Sequence, residues 1–549
     1  MKKRIIVILL VLTGLAAPSC KLDLLDDPNN VTINNASPNF LLNSIQLSWA
    51  GFFNGTSDVG MRLTRMLNQG AAIYENTYPS PSTNGLWSTA YANILADVNV
   101  VIPAARRQNL FIHLGISRVA RAYITATLVD YFGDVPFKEA LQGQANFNPT
   151  IDPGAQVYTA ALQDLDSALV HFRAVTATTP RPSDLFYNND IESWIRLTNT
   201  LKLKLLLNRR LVDNGAQAAI NALIAENLLI STSAQSFAFR YGSNIANPDS
   251  RHPRFSGQYR TGGGDYQSNF YMWHFITQKG FPDPRLRYYF YRQRTRRPTD
   301  VNEIRCITER APTHYPAGMV FCLPSDDGYW GRDHLDNQGI PPDGLARTAW
   351  GIYPVGGRYD NNSGLPVNNE RLGNQGAGLQ PIMMSSFVDF MKSEAALMIG
   401  ATGDPRALLE SAVRKSMADV RSFALSSLEG GTISAFETSQ NFVWATEVNR
   451  YVDRVLALYD AAPDNDGRLD VVLREYWLAL HGNGVEAYNM YRRTGKPANM
   501  QPAIEANPGE FVRSLFYPNV FVATNSNAKQ KPNVGVRVFW DNNPAGFVR

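Results

Sequence analysis

Residues 477–497 read WLALHGNGVEAYNMYRRTGKP, and this stretch indicates two helices joined by a tight turn. Apolar residues recur at helical spacing through residues 469–480, and two glycines follow shortly afterwards. We predict that the second helix ends at Gly495, because glycine closes helices readily and Pro497 cannot continue one. Arg492 and Arg493 fall in its last turn, where the helix dipole favours positive charge.

Helical spacing recurs along the chain in two groups of segments, and short turns join many of the neighbours. Small residues such as Ala122, Ala126, Ala395 and Ala396 let adjacent helices approach closely. The arrangement favours a mainly α fold of stacked, tetratricopeptide-like helix pairs, although no strict repeat period is present. The predicted helices are residues 116–131, 157–172, 191–211, 216–229, 387–399, 405–423, 445–459 and 469–480.

Between the two groups the helical pattern is lost, and Gly, Pro, Asn, Asp, Tyr and Arg dominate. A stretch this long without helices is usually functional or disordered, and its aromatic content argues against disorder. We therefore predict a loop-rich, ligand-binding insert with a few short strands. The predicted organisation is a signal peptide at 1–19, a tether at 20–39, a helical scaffold at 40–237, the insert at 238–381, and a second helical part with a C-terminal tail at 382–549.

The first twenty residues have the pattern of a lipoprotein signal peptide. A basic start at residues 2–4 precedes an apolar run at residues 5–17, which is too short to cross a bilayer permanently. Small residues then lead to Cys20, the residue expected to carry the lipid. Acidic residues between 23 and 27 resemble the surface-export signals of Bacteroidetes lipoproteins. An ordinary secreted protein with an incidental cysteine remains the alternative.

The net charge gives no support for a polyanion-binding protein. The signal peptide carries three of the 52 basic residues, so 49 remain against 48 acidic residues in the mature chain. Residues 285–297 read RLRYYFYRQRTRR, which could hold an anionic ligand or a nucleic acid. We interpret this run as an edge strand with solvated arginines and predict no nucleic-acid partner.

Two cysteines remain once Cys20 carries the lipid. Cys306 and Cys322 both lie in the insert. In an oxidising or extracellular location such a pair normally forms a disulfide, and closing this loop would stabilise the fold by roughly 3 kcal/mol in the chain-entropy model. Two buried free thiols are the alternative interpretation.

The sequence contains no HExxH, Walker A or GxSxG motif. Residues 482–487 match the GxGxxA pattern, but a dinucleotide site needs a strand before it, and the preceding segment is helical in pattern. Residues 464–467 resemble part of a calcium loop but lack its first ligand and its closing glutamate. Residues 333–336 offer two aspartates and a histidine, which is a weak basis for a metal site. None of these patterns supports a catalytic residue, a metal site or a cofactor.

Aromatic residues among polar neighbours are the candidate ligand contacts. Tyrosine and tryptophan offer flat apolar platforms for the C–H face of a sugar, while Asn, Asp, Gln and Arg bind its hydroxyls. Packing within the core is the alternative role for each of them, and Trp87 has the helical spacing of a core residue. The candidates are Tyr74, Tyr78, Tyr266, Trp273, Trp330, Trp350, Tyr353 and Tyr359.

Several short motifs occur in an order that resembles the SusD/RagB family of outer-membrane nutrient-binding lipoproteins, and in particular its second large branch. Each motif has a structural explanation, so together they identify a scaffold and not a catalytic site. The motifs are Trp87-x3-Tyr91-x7-Asn99, Arg121-Ala122-Tyr123, residues 131–136 (YFGDVP), residues 283–286 (DPRL), residues 393–396 (SEAA), Trp477-x-Ala479-Leu480, Glu486-Ala487 and residues 492–497 (RRTGKP).

This resemblance implies a tetratricopeptide-like scaffold with an irregular ligand-binding lobe and no catalysis. It also implies a surface-exposed lipoprotein that captures oligosaccharides or peptides and passes them to a SusC-type TonB-dependent transporter. No motif of this sequence matches a ligand-binding residue of the family. A surface glycan hydrolase and a purely structural lid of the transporter remain alternatives, and the sequence leaves calcium binding undecided.

Replacing the expected lipid-bearing residue tests the anchor. We expect Cys20→Ser to leave the protein soluble in the periplasm, because each buried acyl methylene contributes about 0.8 kcal/mol to membrane attachment. Fractionation of cells that express the variant measures this distribution. Persistent membrane attachment of the variant would contradict the predicted lipid anchor.

Overall fold

The computed structural model describes residues 37–337 and 344–549. The predicted signal peptide, Cys20 and most of the tether lie outside the described residues. The first group of helices forms the N-terminal scaffold. Its elements are α1 (Pro38–Leu63), α2 (Asn84–Ser88), a π-helix (Thr89–Leu95), α3 (Ala96–Arg107), α4 (Phe111–Phe132), α5 (Gly154–Arg173), α6 (Ile191–Asn208) and α7 (Ala216–Ala225).

Helices α4 and α5 pack side by side in opposite directions. Gly115 near the start of α4 lies against the ring of Phe172 at the end of α5, and Gly154 at the start of α5 lies against Val129. Helix α4 is buried along most of its length and ends at Gly133, whose φ of 76° needs a glycine. These antiparallel partners confirm the predicted stacking of helix pairs.

The insert contains three short helices and the four strands of the described chain. Strands β1 and β4 pair antiparallel, with Ala238 opposite Pro381, so they join the two ends of the predicted insert at its base. The elements are β1 (Phe237–Arg240), α8 (Pro253–Tyr259), α9 (Asn269–Ile276), α10 (Leu286–Tyr289), β2 (Phe290–Tyr291), β3 (Ala349–Trp350) and β4 (Leu379–Met383). Strands β2 and β3 form a second antiparallel pair.

The interpretation of residues 285–297 as an edge strand with solvated arginines is wrong in part. Arg285 is fully buried beside α10 and binds Asp283 through two nitrogens, at 3.0 and 2.7 Å. Arg292 is also buried, and its Nε donates to Asp360 at 2.6 Å. Carboxylates inside the insert hold these two guanidinium groups away from water, whereas Arg294, Arg296 and Arg297 of the same run are exposed.

The second group of helices completes the scaffold, and the chain after it is largely irregular. Its helices are α11 (Ser385–Ile399), α12 (Pro405–Leu425), α13 (Gly430–Ser439), α14 (Trp444–Asp460), α15 (Asn465–Ala479), α16 (Gly484–Thr494) and α17 (Asn519–Val522). Short 3₁₀ turns occur at Tyr74–Asn76, Ser80–Thr83, Gly143–Ala145, Arg209–Leu211, Ser233–Gln235 and Arg305–Thr308. The mainly α fold class is confirmed, and none of the described helices is both long and apolar enough to span a bilayer.

The hairpin of α15 and α16 crosses α1 at a contact between two glycines. A Cβ atom at Gly60 would overlap the carbonyl group of Gly484, and one at Gly484 would overlap the backbone of α1. The Ser57 hydroxyl accepts a hydrogen bond from the Gly484 amide at 2.9 Å and donates one to the Gly482 carbonyl at 2.8 Å. Two segments from opposite halves of the chain therefore meet backbone to backbone.

The glycine contact predicts a large stability difference between two Gly→Ala variants of one helix. Gly60→Ala should destabilise the protein by about 3 kcal/mol, because the neighbouring backbone cannot move aside as a side chain can. Gly51→Ala in the same helix meets nothing within 4 Å and should stabilise it by about 0.5–1 kcal/mol. Urea denaturation of both variants gives the comparison, and equal effects would contradict the proposed crossing.

Candidate functional site

A cavity of about 970 Å³ lies where the end of α1, the end of α16 and the irregular C-terminal tail meet. The tail lines most of it, in two stretches at residues 497–513 and 535–549. The scaffold contributes Arg65 and Tyr74, which follow α1, and Tyr491 of α16. A concave region of this size, with mixed aromatic and polar lining, is the usual form of a small-ligand site.

Arg65 forms part of the cavity lining and ties it to three segments. Its φ of 59° is left-handed and turns the chain sharply after α1. The guanidinium group donates to the Leu63 carbonyl at 2.9 Å and to the Gln501 carbonyl at 3.2 Å. It also donates to the Tyr74 hydroxyl at 2.9 Å and to the carbonyl of Arg549. These four acceptors together hold the side chain in one place.

Tyr74 connects Arg65 to the insert. Its hydroxyl lies 2.9 Å from Nε2 of His334, and burial raises the pKa of Tyr74 to about 12. Burial also lowers the pKa of His334 well below its ordinary value, so the ring is neutral. The hydroxyl therefore accepts from Arg65 and is placed to donate to His334.

Three aromatic rings surround the Arg65 guanidinium group. The ring centre of Phe511 lies 5.3 Å from that of Tyr74 and 5.4 Å from that of Tyr491, both in edge-to-face contacts. The Arg65 guanidinium lies 5.7 Å from the Phe511 ring centre. Near the opening, Phe547 is 37% exposed. The three rings around Arg65 are at most 4% exposed, so Phe547 provides the accessible ring surface of the cavity.

The exposed groups around the cavity carry both signs of charge. Glu505 and Glu510 are exposed acids, and Arg537 is an exposed base. Arg513, further inside, is buried and bound to Asp541 through Nε at 2.7 Å. With acidic and basic groups mixed, the site favours a neutral polar ligand over a polyanion.

Two family models match the chain. Residues 28–307 match a model described as starch-binding and associating with the outer membrane, and residues 375–535 match the model of SusD and RagB outer-membrane lipoproteins. The first match alone covers more than half of the sequence. The chain belongs to the SusD/RagB family.

Solved structures share the fold of this SusD/RagB protein. A SusD homologue from Bacteroides fragilis has a TM-score of 0.67 and 18% identity, over 92% of this chain and 99% of that chain. A chitin-binding protein has a TM-score of 0.66 and 19% identity, over 92% and 100%. A chitin-binding SusD homologue from Flavobacterium johnsoniae has a TM-score of 0.61 and 17% identity, over 91% and 99%. No protein of curated function matches the sequence.

Of the eight aromatic residues predicted to contact a ligand, Tyr74 lines the cavity of this SusD/RagB protein. Trp273 is partly buried and packs at the edge of the main core. The others lie outside the cavity lining and, like Tyr74, are at most 9% exposed. They are Tyr78, Tyr266, Trp330, Trp350, Tyr353 and Tyr359. Their contact with a ligand stays a prediction.

Asp265, the residue before Tyr266, is the centre of an ion cluster between the scaffold and the insert. The indole of Trp350 also contacts this cluster. Asp265 accepts from Arg62 of α1 at 2.6 Å, from Arg254 of α8 at 2.7 Å and from the Trp350 indole at 3.0 Å. Burial alone would raise the pKa of Asp265, but the two guanidinium groups outweigh it and hold that pKa below its usual range. The cluster joins the insert to the end of α1.

Cys306 and Cys322 are joined by a disulfide, with their Cα atoms 5.6 Å apart. Asp333, from the weak candidate metal motif, accepts hydrogen bonds from the Cys322 amide at 2.8 Å and from the Gln501 side chain at 2.6 Å. Among the described residues no group of three His, Cys, Asp or Glu side chains is arranged to hold a metal ion.

Sequence reasoning misses the cavity because its lining comes from distant, irregular segments. Arg65 is 426 residues from Tyr491, which is 20 residues from Phe511, and the three carry no shared motif. One signal is present in the sequence, since the tail places aromatic residues among Pro, Asn and Gly, as the insert does.

The two tyrosines of the loop after α1 should differ in their effect on stability. Tyr74→Phe removes the acceptor of a buried guanidinium and should cost about 2–3 kcal/mol. Tyr78→Phe removes a neutral hydrogen bond of 3.1 Å to Gln69 and should cost about 1 kcal/mol. Urea denaturation of both variants is the measurement, and a larger loss for Tyr78→Phe would contradict the assigned role of Tyr74.

Proposed function

We propose that this protein captures a neutral oligosaccharide, or a peptide, at the cell surface and delivers it to a SusC-type TonB-dependent transporter without catalysis. The cavity between α1, α16 and the tail is the observation that carries this proposal. It lies in a chain of the SusD/RagB family, and its lining combines aromatic rings with fixed polar groups.

The chemistry of the cavity suits a sugar. Exposed ring surface at Phe547 can stack on the C–H face of a pyranose, and the exposed carboxylates and guanidinium of Glu505, Glu510 and Arg537 can bind hydroxyls. A volume of about 970 Å³ is at the upper end of common ligand sites, which suits an oligosaccharide better than a monosaccharide.

Chitin oligosaccharides are the first ligands to test. Two of the solved structures that share this fold are of chitin-binding proteins. Because the ligand must be released to a transporter, we expect a micromolar dissociation constant, which corresponds to about −8 kcal/mol. Anchoring through lipid on Cys20 would keep the protein in the outer membrane beside its transporter.

Isothermal titration against chitin, starch and other oligosaccharides, and against peptides, tests ligand capture directly. We expect binding of at least one of these ligands, with no release of shorter products. Turnover of a labelled oligosaccharide by the purified protein would instead establish the hydrolase alternative. Absence of binding across the whole panel would count against the capture role.

A single aromatic variant tests the location of the site. Phe547→Ala should raise the dissociation constant for the bound oligosaccharide about threefold to tenfold, because an aromatic contact contributes about 0.5–1.5 kcal/mol. Phe147→Ala is the matched control, since that ring is 71% exposed and lies outside the cavity lining. Equal affinities of the two variants would place the ligand elsewhere.

A further inference from the structure

One wall of the cavity comes from a loop of the insert that a disulfide closes. The Cys306–Cys322 disulfide closes residues 307–321 into a loop. His314 and Pro316 of this loop line the cavity. The tail segment at residues 501–504 runs alongside the loop.

Three hydrogen bonds fasten the loop to the tail. Nε2 of His314 donates to the Ala503 carbonyl at 2.9 Å, and the Tyr315 hydroxyl donates to the Pro502 carbonyl at 3.2 Å. In return, Nε2 of Gln501 donates to the Val320 carbonyl at 2.9 Å. All three therefore join the loop to consecutive residues of the tail.

The ends of the loop are anchored in the fold, while its middle is exposed. Val320 is buried in the main core, and Ile307, Met319 and Phe321 are partly buried against hydrophobic clusters. No residue between 308 and 318 is buried, so hydrophobic burial contributes little to the docking of the part that lines the cavity. The disulfide lies in a small hydrophobic cluster with Ile304 and Trp330, separate from the main core. A cross-link restricts the loop when it is detached, and this lowers the conformational entropy lost on docking.

We propose that the Cys306–Cys322 disulfide is a positioning element for ligand binding: it holds the loop 307–321 against residues 501–504 and thereby fixes one wall of the cavity. This inference rests on the proposed function, since it assigns the disulfide to the same site. Loss of the cross-link should free the wall and the tail segment while the helical scaffold stays intact.

Hydrogen exchange of the ligand-free protein tests the positioning role without any ligand. In Cys306→Ser/Cys322→Ser the tail segment 499–506 should exchange at least about tenfold faster than in the unmodified protein. Its reporter is the Ile504 amide, which donates to the His334 carbonyl at 3.0 Å. Exchange in α16 should stay unchanged. Unchanged exchange in the tail, or equal acceleration in α16, would overturn the proposal.

A second variant tests the same contact with the disulfide intact, in case the cysteine variant misfolds. His314→Ala/Tyr315→Phe keeps the disulfide but removes two of the three hydrogen bonds, and should accelerate exchange in the same tail segment. If this variant leaves the tail unchanged, the loop does not hold it and the proposal fails.

Binding kinetics test whether the wall slows release of the ligand, and a chitin hexasaccharide is the probe. Where the unmodified protein binds it, both variants should release it at least about threefold faster. An unchanged release rate together with faster tail exchange would overturn the link to binding. If the unmodified protein does not bind the probe, that ligand assignment fails while the exchange result still decides the role of the disulfide.

Discussion

The close contact of Gly60 with Gly484 is the constraint on which the rest of the structure depends. It brings the backbones of α1 and α16 together, although they lie in opposite halves of the sequence. The Trp477 indole donates to the Thr64 carbonyl at 3.0 Å and fixes the end of α1 beside the same hairpin. Arg65, the next residue, is thereby placed close to Tyr491, and this pair begins the cavity.

The tail is irregular, yet buried polar groups of the scaffold hold it in place. Asp130 of α4 accepts from the Trp540 indole at 2.9 Å and from the Asn489 side chain at 2.7 Å. Arg492 of α16 donates to the Arg513 carbonyl at 2.6 Å. Because charge-assisted hydrogen bonds are stronger than neutral ones, they replace the regular secondary structure that the tail lacks. Contacts from α4 and α16 therefore hold in place the tail that lines the cavity.

Local patterns predict the scaffold well and the site poorly. Helix α12 is predicted at 405–423 and found at Pro405–Leu425, because apolar periodicity and an N-terminal proline are local signals. Helix α1 is absent from the predicted set, although Trp49 and Phe53 of that helix lie in the main core. The cavity joins Arg65 to Phe511, and no local signal encodes a contact between residues so far apart. The burial of Trp330 and Trp350 likewise depends on tertiary packing.

Ligand binding between the scaffold and the tail is the central claim about this protein. A crystal structure of the protein with a bound oligosaccharide from the titration panel tests it most directly. We predict density for the sugar beside Phe547 and Tyr491, with the wall at His314 in place. Density for the sugar over Trp273 or on another face of the insert, with the cavity empty, would contradict the claim.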